Sequence, residues 1–293
     1  MKEIVVISGK GGTGKTSITA SFAMLAGADA VVADCDVDAA DMHLLMQPNR
    51  VKEESFFSGQ LASIDSEKCI QCGQCAQVCR FDAISVHDDH HKVDSVSCDG
   101  CGYCPRVCPV NAIKMEERKA GDWYISKTKA NNFMVHAALD IGAENSGKLV
   151  TKVKNEAKAL AKQQNVQFIL VDGSPGIGCP VLSSLSGANF VVLVTESTLS
   201  GLHDLKRVYE LVRKFRIKAG CIINKADLNE AVHQQIITFL TMENIHHIAD
   251  IPFDRTFTDA LVLGKTVVET ASSSVSQQVK CAWETIKNLN QSV

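Results

Sequence analysis

The sequence predicts an α/β fold: a mostly parallel sheet covered by helices, interrupted once by a small cysteine-rich segment. Three observations carry this. Apolar runs of strand length alternate with helical stretches on both sides of the interruption. A glycine-rich loop separates the first such strand from the first helix. Eight of the twelve cysteines lie between Cys69 and Cys108, where the composition changes abruptly.

The elements follow in order. Ile4 to Ser8 reads as a short buried strand, and Thr16 to Ala26 as the helix after the loop. Val31 to Ala33 is the next strand and runs into Asp34-Cys35-Asp36. Beyond the cysteines, Trp123 to Ser126 reads as a strand and Ser146 to Gln164 as a helix, with Leu149, Val153, Ala157, Leu160 and Ala161 on one face. Phe168 to Val171, Phe190 to Thr195 and Cys221 to Asn224 are continuous apolar runs, as expected of parallel strands buried on both faces. Strands before and after the cysteines cannot complete a sheet separately. The expected organisation is a nucleotide-binding domain in two parts, 1–62 and 118–293, with a domain inserted at 63–117. At the end of the chain, Val275, Val279, Trp283, Ile286 and Leu289 recur at helical spacing. With only Lys280 and Lys287 opposed by Glu284 on its polar side, this helix is expected to pack on the core rather than on a membrane surface.

Composition narrows the function classes. The chain has 293 residues, 45% hydrophobic and 22% charged, with a formal net charge of -3. A nucleic-acid partner, which calls for a basic face, is not expected. Met1 to Ile7 leads directly into strand-like sequence, so no export signal is expected. No run reaches the roughly 18 to 20 apolar residues of a membrane span. A cytoplasmic protein without membrane insertion is the expectation, and its clustered cysteines suit metal ligation better than disulfides.

Gly9-Lys10-Gly11-Gly12-Thr13-Gly14-Lys15-Thr16 matches G-x4-G-K-[ST] between a strand and a helix, the context this motif requires. Its glycines let backbone N–H groups converge on phosphate oxygens at the positive end of the helix. Lys15 is placed to reach the β- and γ-phosphates, and the Thr16 hydroxyl to ligate Mg²⁺.

With Lys10, the loop resembles the deviant Walker A of the MinD/ParA/Mrp superfamily, which includes the nitrogenase iron protein. In that family the early lysine crosses a dimer interface to the partner's nucleotide. The resemblance thus implies a homodimer, or a heterodimer with a related ATPase, and catalytic roles for Lys10, Lys15 and Asp36. Asp34-Cys35-Asp36 looks like switch I, where Asp36 would position the attacking water and Asp34 would support the Mg²⁺ shell. Asp172-Gly173-Ser174-Pro175-Gly176 looks like switch II, with Asp172 holding Mg²⁺ through water. Relatives often carry a second proline at Ser174, so a less stiff loop is expected. Asn224-Lys225-Ala226-Asp227 looks like the base-recognition loop. In GTPases the final aspartate reads guanine; in MinD-like ATPases the asparagine contacts adenine. Lys10 outweighs Asp227, so ATP is expected. Cys179 lies seven residues beyond Asp172, the spacing of a cluster ligand in the nitrogenase iron protein. A buried thiol packed at a helix start is its other reading.

Cys69-x2-Cys72-x2-Cys75-x3-Cys79 and Cys98-x2-Cys101-x2-Cys104-x3-Cys108-Pro109 each have the bacterial ferredoxin spacing, in which the fourth cysteine ligates the other cluster. One [4Fe–4S] cluster is expected on Cys69, Cys72, Cys75 and Cys108, and the second on Cys98, Cys101, Cys104 and Cys79. Zinc sites use separated pairs instead of two 3+1 runs. Asp82-Ala83-Ile84 and Asn111-Ala112-Ile113 repeat after each run. Arg80 stands where ferredoxins have proline, and is expected to bring a charge close to the cluster of Cys79. His87, His90 and His91 are expected in an exposed hairpin between the runs.

The complete fold expectation is a P-loop (deviant Walker A) domain with an inserted small α+β bacterial 2[4Fe–4S] ferredoxin domain. The chain resembles MinD-superfamily ATPases of that kind, which implies ATP hydrolysis coupled to electron transfer or to docking of a redox partner. Two alternatives remain: an iron–sulfur carrier of the Mrp type, which tends to have a Cys-x2-Cys pair near the C-terminus where this chain has only Cys281, and a MinD- or ParA-like positioning ATPase.

Overall fold

The computed structural model describes residues 1–87, 90–143, 145–270 and 273–291. Its elements are β1 (Lys2–Ile7), α1 (Lys15–Ala26), β2 (Ala30–Asp34), α2 (Met42–Met46), β3 (Asn49–Ile64), α3 (Gln74–Gln77), β4 (Ile84–His87), β5 (His90–Val93), α4 (Cys104–Val107), β6 (Ile113–Lys127), β7 (Phe133–Leu139), α5 (Ser146–Gln164), β8 (Phe168–Asp172), α6 (Cys179–Leu185), β9 (Phe190–Glu196), α7 (Leu199–Lys214), β10 (Lys218–Asn224), α8 (Glu230–Met242), β11 (His246–Ile251), α9 (Thr256–Val262) and α10 (Ser274–Gln291). Two compact units result. The first comprises Met1–Glu53, Trp123–Ala138 and Ser146–Val293, the second Glu54–Asp122 and Leu139–Asn145. Among the described residues no helix is long and apolar enough to cross a membrane.

The main sheet has the order β11-β10-β9-β1-β8-β2-β7-β6-β3. From β11 to β7 every pairing is parallel. Strands β1, β8 and β9 are apolar on both faces because helices cover both, so their residues are almost wholly buried. Helix α10 closes the core as its spacing predicts: Val275, Val279, Trp283 and Ile286 are buried, and the Trp283 ring lies 5.4 Å from those of Phe22 and Phe168. The apolar face of α5 is modified. Leu160 is only half-buried, while Lys154 is buried. Lys154 Nζ reaches Glu3 of β1 at 2.6 Å and donates to the carbonyls of Ser184 and Ser186, which ties α5 to the sheet and to α6. A second lysine, Lys158, meets the other Glu3 oxygen at 2.9 Å, so each oxygen of the buried carboxylate faces an ammonium group.

Strand register fixes where the chemistry sits. Asp34 pairs with Asp172 across β2 and β8, and Asn224 with Glu196 across β10 and β9. Each of these is the last residue of its strand. Parallel strands thus deliver their final polar residues to one edge, outside their carboxyl ends, where open α/β sheets bind ligands.

The second unit is a twofold-repeated fold. Asp65 O accepts the Cys69 N–H at 3.0 Å, and Asp94 O accepts the Cys98 N–H at 3.0 Å. The halves then cross. Asp65 N–H donates to Ala112 O (2.8 Å), and Asp94 N–H donates to Ala83 O (2.7 Å). Asp82 and Asn111 both take left-handed backbone, at φ 50° and 53°, which turns the chain into those crossings. The hairpin β4–β5 pairs His87 with His90; the residues between them lie outside the described set.

Candidate functional site

The loop after β1 wraps an open cleft of about 730 Å³ in the first unit, lined by Gly11 to Ser17, Ser8, Asp36, Asp41, Pro175 and the apolar side chains of Leu44, Leu261 and Val262. This volume lies within the range of small-molecule sites. Gly12 and Gly14 have φ of 79° and 89°, so glycine is required for the loop's curvature. A Cβ on Gly14 would also meet Asn224 Nδ2 at 2.5 Å, and one on Gly9 would meet the Asp204 backbone at 2.4 Å.

Lys15 is folded against the acidic edge. Its Nζ lies 3.0 Å from Asp172 Oδ2 and 3.5 Å from Asp36 Oδ2. Burial pushes the Lys15 ammonium down, but Asp172, Asp36 and Asp34 outweigh it and hold its pKa above the ordinary value. The Thr16 hydroxyl donates to Asp172 Oδ2 at 2.8 Å, and Thr19 Oγ1 lies 2.8 Å from the other oxygen. Asp34 accepts the Asp36 N–H through Oδ1 at 3.2 Å, while its buried Oδ2 has no hydrogen-bond partner among the described residues. Burial, reinforced by the Asp172 charge, pushes the Asp34 carboxyl well up. Asp36 is raised by burial first and then by Asp172. Three carboxylates therefore face one lysine, and one carboxylate oxygen is unsatisfied. That donor set fits a hard divalent cation of the Mg²⁺ kind, completed by waters and phosphate oxygens. Among the described residues no three His, Cys, Asp or Glu side chains converge enough to hold an ion alone.

The two switch-like segments are joined. Ser174 Oγ donates to the Cys35 carbonyl at 2.6 Å, and Cys35 N–H donates to the Asp172 carbonyl at 2.8 Å. Ser174 thus tethers the loop that the missing proline was expected to leave less stiff. The Gly176 N–H donates to the Ser8 carbonyl at 2.9 Å.

The remaining expected residues stand apart from the cleft lining. Lys10 Nζ is turned to Glu196 Oε1 and Ser200 Oγ, each at 2.7 Å. Asn224 braces the loop from behind, donating to the Thr13 carbonyl at 2.8 Å. Asp227 Oδ1 accepts the Phe253 N–H at 2.7 Å. Cys179 is exposed at the first residue of α6, instead of buried, and packs over Gly147, where a Cβ would meet its own Cβ at 3.3 Å. Glu196 and Thr19 are additions. The signal for Glu196 was present: an acidic residue closing the apolar run Phe190 to Thr195.

In the second unit two cavities collect the thiols. Cys79, Cys98, Cys101 and Cys104 line one; Cys69, Cys72, Cys75 and Cys108 line the other. The crossing of the halves puts the fourth cysteine of each run beside the other triplet. Ala83 N–H points at Cys79 Sγ (3.4 Å) and Ala112 N–H at Cys108 Sγ (3.3 Å). Burial pushes the Cys104 thiol up to about 11 and raises that of Cys75. Thiolates in such cavities need cationic charge from a bound group, and the spread donors suit a multi-iron cluster, which takes one thiolate per iron. His91 is half-buried, not simply exposed: it lines the cavity of Cys69 and meets Gln71 Oε1 at 2.7 Å through Nδ1. Arg80 is exposed, whereas Arg118 donates to the Cys98 carbonyl at 3.3 Å.

A protein of Methanocaldococcus jannaschii, the uncharacterized protein MJ0578, is 32% identical over 287 residues, spanning 97% of this chain and 96% of that one. The chain belongs to the MJ0578 family. A second M. jannaschii protein, the uncharacterized protein MJ0579, is similar to this MJ0578-family chain at 24% identity, over 78% of this chain and 82% of its own length. Residues 62–115 match the 4Fe-4S dicluster domain family. Among solved structures, the septum site-determining protein MinD complexed with Mg-ADP from Pyrococcus horikoshii is 19% identical with a TM-score of 0.60, covering 99% of this chain and 97% of that one. Apo McdA from Cyanthece is 13% identical with a TM-score of 0.60, covering 98% and 99%. The MJ0578-family chain has the mostly parallel MinD/ParA P-loop ATPase fold, with a 4Fe–4S ferredoxin domain inserted around residues 62–115.

Proposed function

We propose that this protein is a P-loop ATPase that couples nucleotide-driven movement of its switch loops to electron transfer, or to redox-partner docking, through two [4Fe–4S] clusters. The observation that carries the reading is the sharing of Asp172. Lys15 and Thr16 of the phosphate loop both bind its carboxylate, and the segment that follows it is tied through Ser174 to Cys35 of the first switch. Filling the phosphate loop therefore cannot leave either switch undisturbed, the general logic of nucleotide switches.

In this reading Lys15 leaves Asp172 for the β- and γ-phosphates, with the N–H groups of Gly9, Gly11, Gly12, Thr13 and Gly14 around them. Thr16 would ligate Mg²⁺ directly, Asp172 through water, with Asp34 supporting the shell. Asp36 orients the attacking water. Lys10 acts on the nucleotide of a second copy, or of a related ATPase, and Gly176 lets the second switch turn. The Mg-ADP carried by the P. horikoshii MinD structure supports the nucleotide and metal assignment. Asn224 and Asp227 hold the base side, and the engagement of Asp227 Oδ1 by Phe253 N–H favours adenine over guanine. The clusters, when bound, supply one-electron chemistry. Their protein ligands would be Cys69, Cys72, Cys75 and Cys108 for one, and Cys98, Cys101, Cys104 and Cys79 for the other. Cys72 and Cys101 are exposed, so a partner could approach a bound cluster at those ligands.

The test uses anaerobically purified protein. Wild type should hydrolyse ATP, and a non-hydrolysable MgATP analogue should change the EPR spectrum or midpoint of the reduced clusters. Lys15→Ala should lose nucleotide binding and that response together, because the phosphates lose their charged partner. Cluster properties indifferent to nucleotide, with ready transfer of iron and sulfide to an apo-acceptor, would favour a carrier instead.

A further inference from the structure

Lys10 does not hang free at the mouth of the phosphate loop. One carboxylate, Glu196 at the end of β9, takes two lysines. Its Oε1 meets Lys10 Nζ at 2.7 Å, and its Oε2 meets Lys225 Nζ at 2.9 Å. Lys225 also donates to the Gly12 carbonyl at 3.1 Å, so one carboxylate is wired to the loop at two points. The carboxylate itself is fixed. Thr198 Oγ1 donates to Oε1 at 3.2 Å, and a Cβ on Gly201 would meet the Glu196 carbonyl at 2.3 Å and its Cγ at 3.2 Å. Burial pushes the Glu196 carboxyl up, yet the two lysines outweigh it and hold it below the usual carboxylate range, so it is ionised at neutral pH.

The grip on Lys10 is also metastable. Its other partner, Ser200, lies in the first turn of α7, whose N-cap is Thr198. A cation at that end of a helix is opposed by the helix dipole. Among the described residues Glu196 supplies the only opposite charge that Lys10 meets, beside the neutral Ser200 hydroxyl, across a partly exposed pair that ordinarily contributes no more than about 1 kcal/mol. Polyanionic phosphates arriving in the loop compete for both ammonium groups and repel the carboxylate.

We propose that Glu196 is a positioning residue that docks Lys10 on its own subunit in the nucleotide-free protein and releases it when the phosphate loop fills, so that Lys10 becomes available to a second copy only after nucleotide is bound. This rests on the reading of Lys10 as the group that crosses between copies. Dimer formation is thereby made dependent on occupancy of the loop that carries the lysine.

Glu196→Gln keeps the shape and removes the charge. In sedimentation experiments with Mg²⁺ and a non-hydrolysable ATP analogue, it should dimerise at about two- to fivefold lower analogue concentration than wild type. In steady state the KM for ATP should fall by a similar factor, with kcat changed less. Adding Lys10→Ala should abolish the difference between the wild-type and Glu196→Gln backgrounds, and Glu196→Asp should restore part of the wild-type threshold. Ser200→Ala, which removes the second contact, should shift the threshold in the same direction and guards against misfolding of the first variant. An unchanged or raised threshold in Glu196→Gln and Ser200→Ala would overturn the proposal, as would a shift that persists without Lys10. If wild type binds the analogue but does not dimerise, and Lys10→Ala is silent, the cross-subunit reading of Lys10 has failed and this proposal falls with it.

Discussion

Asp36 and His136 show how local surroundings assign work to single side chains. Asp36 lines the cleft and is 3.5 Å from Lys15, so in the proposed function it would stand beside the reacting end of a bound triphosphate. Asp36→Ala should bind ATP with near wild-type affinity and lose about 100-fold or more in kcat, the scale of a water-positioning or general-base group. Binding by calorimetry beside single-turnover hydrolysis separates the two; a loss confined to affinity would assign Asp36 to binding instead. His136 on β7 has the opposite character. It is buried, shares a 2.9 Å hydrogen bond with Ser126 Oγ, faces the Tyr124 ring, and lies near the side chains of His43 and Arg50. Burial first, then the proximity of His43 and Arg50, lowers its pKa from 6.5 to about 4. A histidine lowered in the folded state is neutral there, so its contribution is complete above the unfolded value and is lost as pH falls from 6.5 toward 4. The first unit should lose up to about 3 kcal/mol over that window, and His136→Gln should flatten that limb of the stability profile. Urea unfolding followed by tryptophan emission at several pH values gives the measurement.

At the scale of elements, the cluster loops show what glycine does in a repeat. Gln71 and Gly100 occupy matching places in the two cysteine runs, with φ of 60° and 71°. Gln71 shows that a side chain tolerates this backbone. Gly100 differs in its neighbour, since a Cβ there would lie 2.2 Å from the Gln60 carbonyl oxygen. Gly100→Ala should thus displace the loop of Cys98 to Cys104 while sparing the other, lowering iron from about eight to about four per chain. Iron and sulfide assays with EPR of the remaining cluster test this; full iron content would show that Gln60 gives way. The same comparison explains what the sequence made legible. Cysteine spacing revealed the runs, and the Asp82-Ala83-Ile84 and Asn111-Ala112-Ile113 repeat marked the segments that cross. The glycine loop and the acidic ends of β2 and β8 were readable because apolar strands of standard length precede them. The long strand β3 was not, because charged and polar residues such as Glu53 and Glu54 interrupt any period-2 pattern and leave it largely exposed, and β6 was read only at its end, Trp123 to Ser126, because Glu116 and Glu117 break the pattern before it. Side-chain partners were equally hidden. Nothing local in the sequence tells that Lys10 turns to Glu196, which lies 186 residues away, or that Ser174 ties the two switches.

Across the whole molecule, the two units rest on different sources of stability. The first has an extended core that runs from Ile4 and Phe22 through Leu170 and Val192 to Trp283 and Ile286. The core cluster of the second is Ala62, Cys75, Ile84 and Ile113, with Cys79, Cys98, Cys104 and Cys108 packed partly buried around it. Much of that small core is thus cysteine sulfur, the proposed cluster ligands, and a domain of this size without disulfides generally needs a metal to fold. The extended apolar core of the first unit supplies its stability without such a group. Removal of iron by a chelator under mild oxidation should therefore unfold the second unit and leave the first intact. Both tryptophans, Trp123 and Trp283, belong to the first unit, and Trp283 is held against Phe22 and Phe168. Its emission and the melting temperature it reports should be unchanged in iron-free protein, and Mg²⁺-nucleotide affinity should stay within about twofold, while far-UV circular dichroism and proteolysis register loss of residues around 62–115. Proteolysis confined to that segment, with tryptophan emission and nucleotide binding preserved, is the expected outcome. A red shift of the tryptophan emission on iron removal would mean that the ATPase core depends on the clusters for its own fold, and that the ferredoxin insertion is a structural part of the ATPase unit instead of a separately stabilised domain.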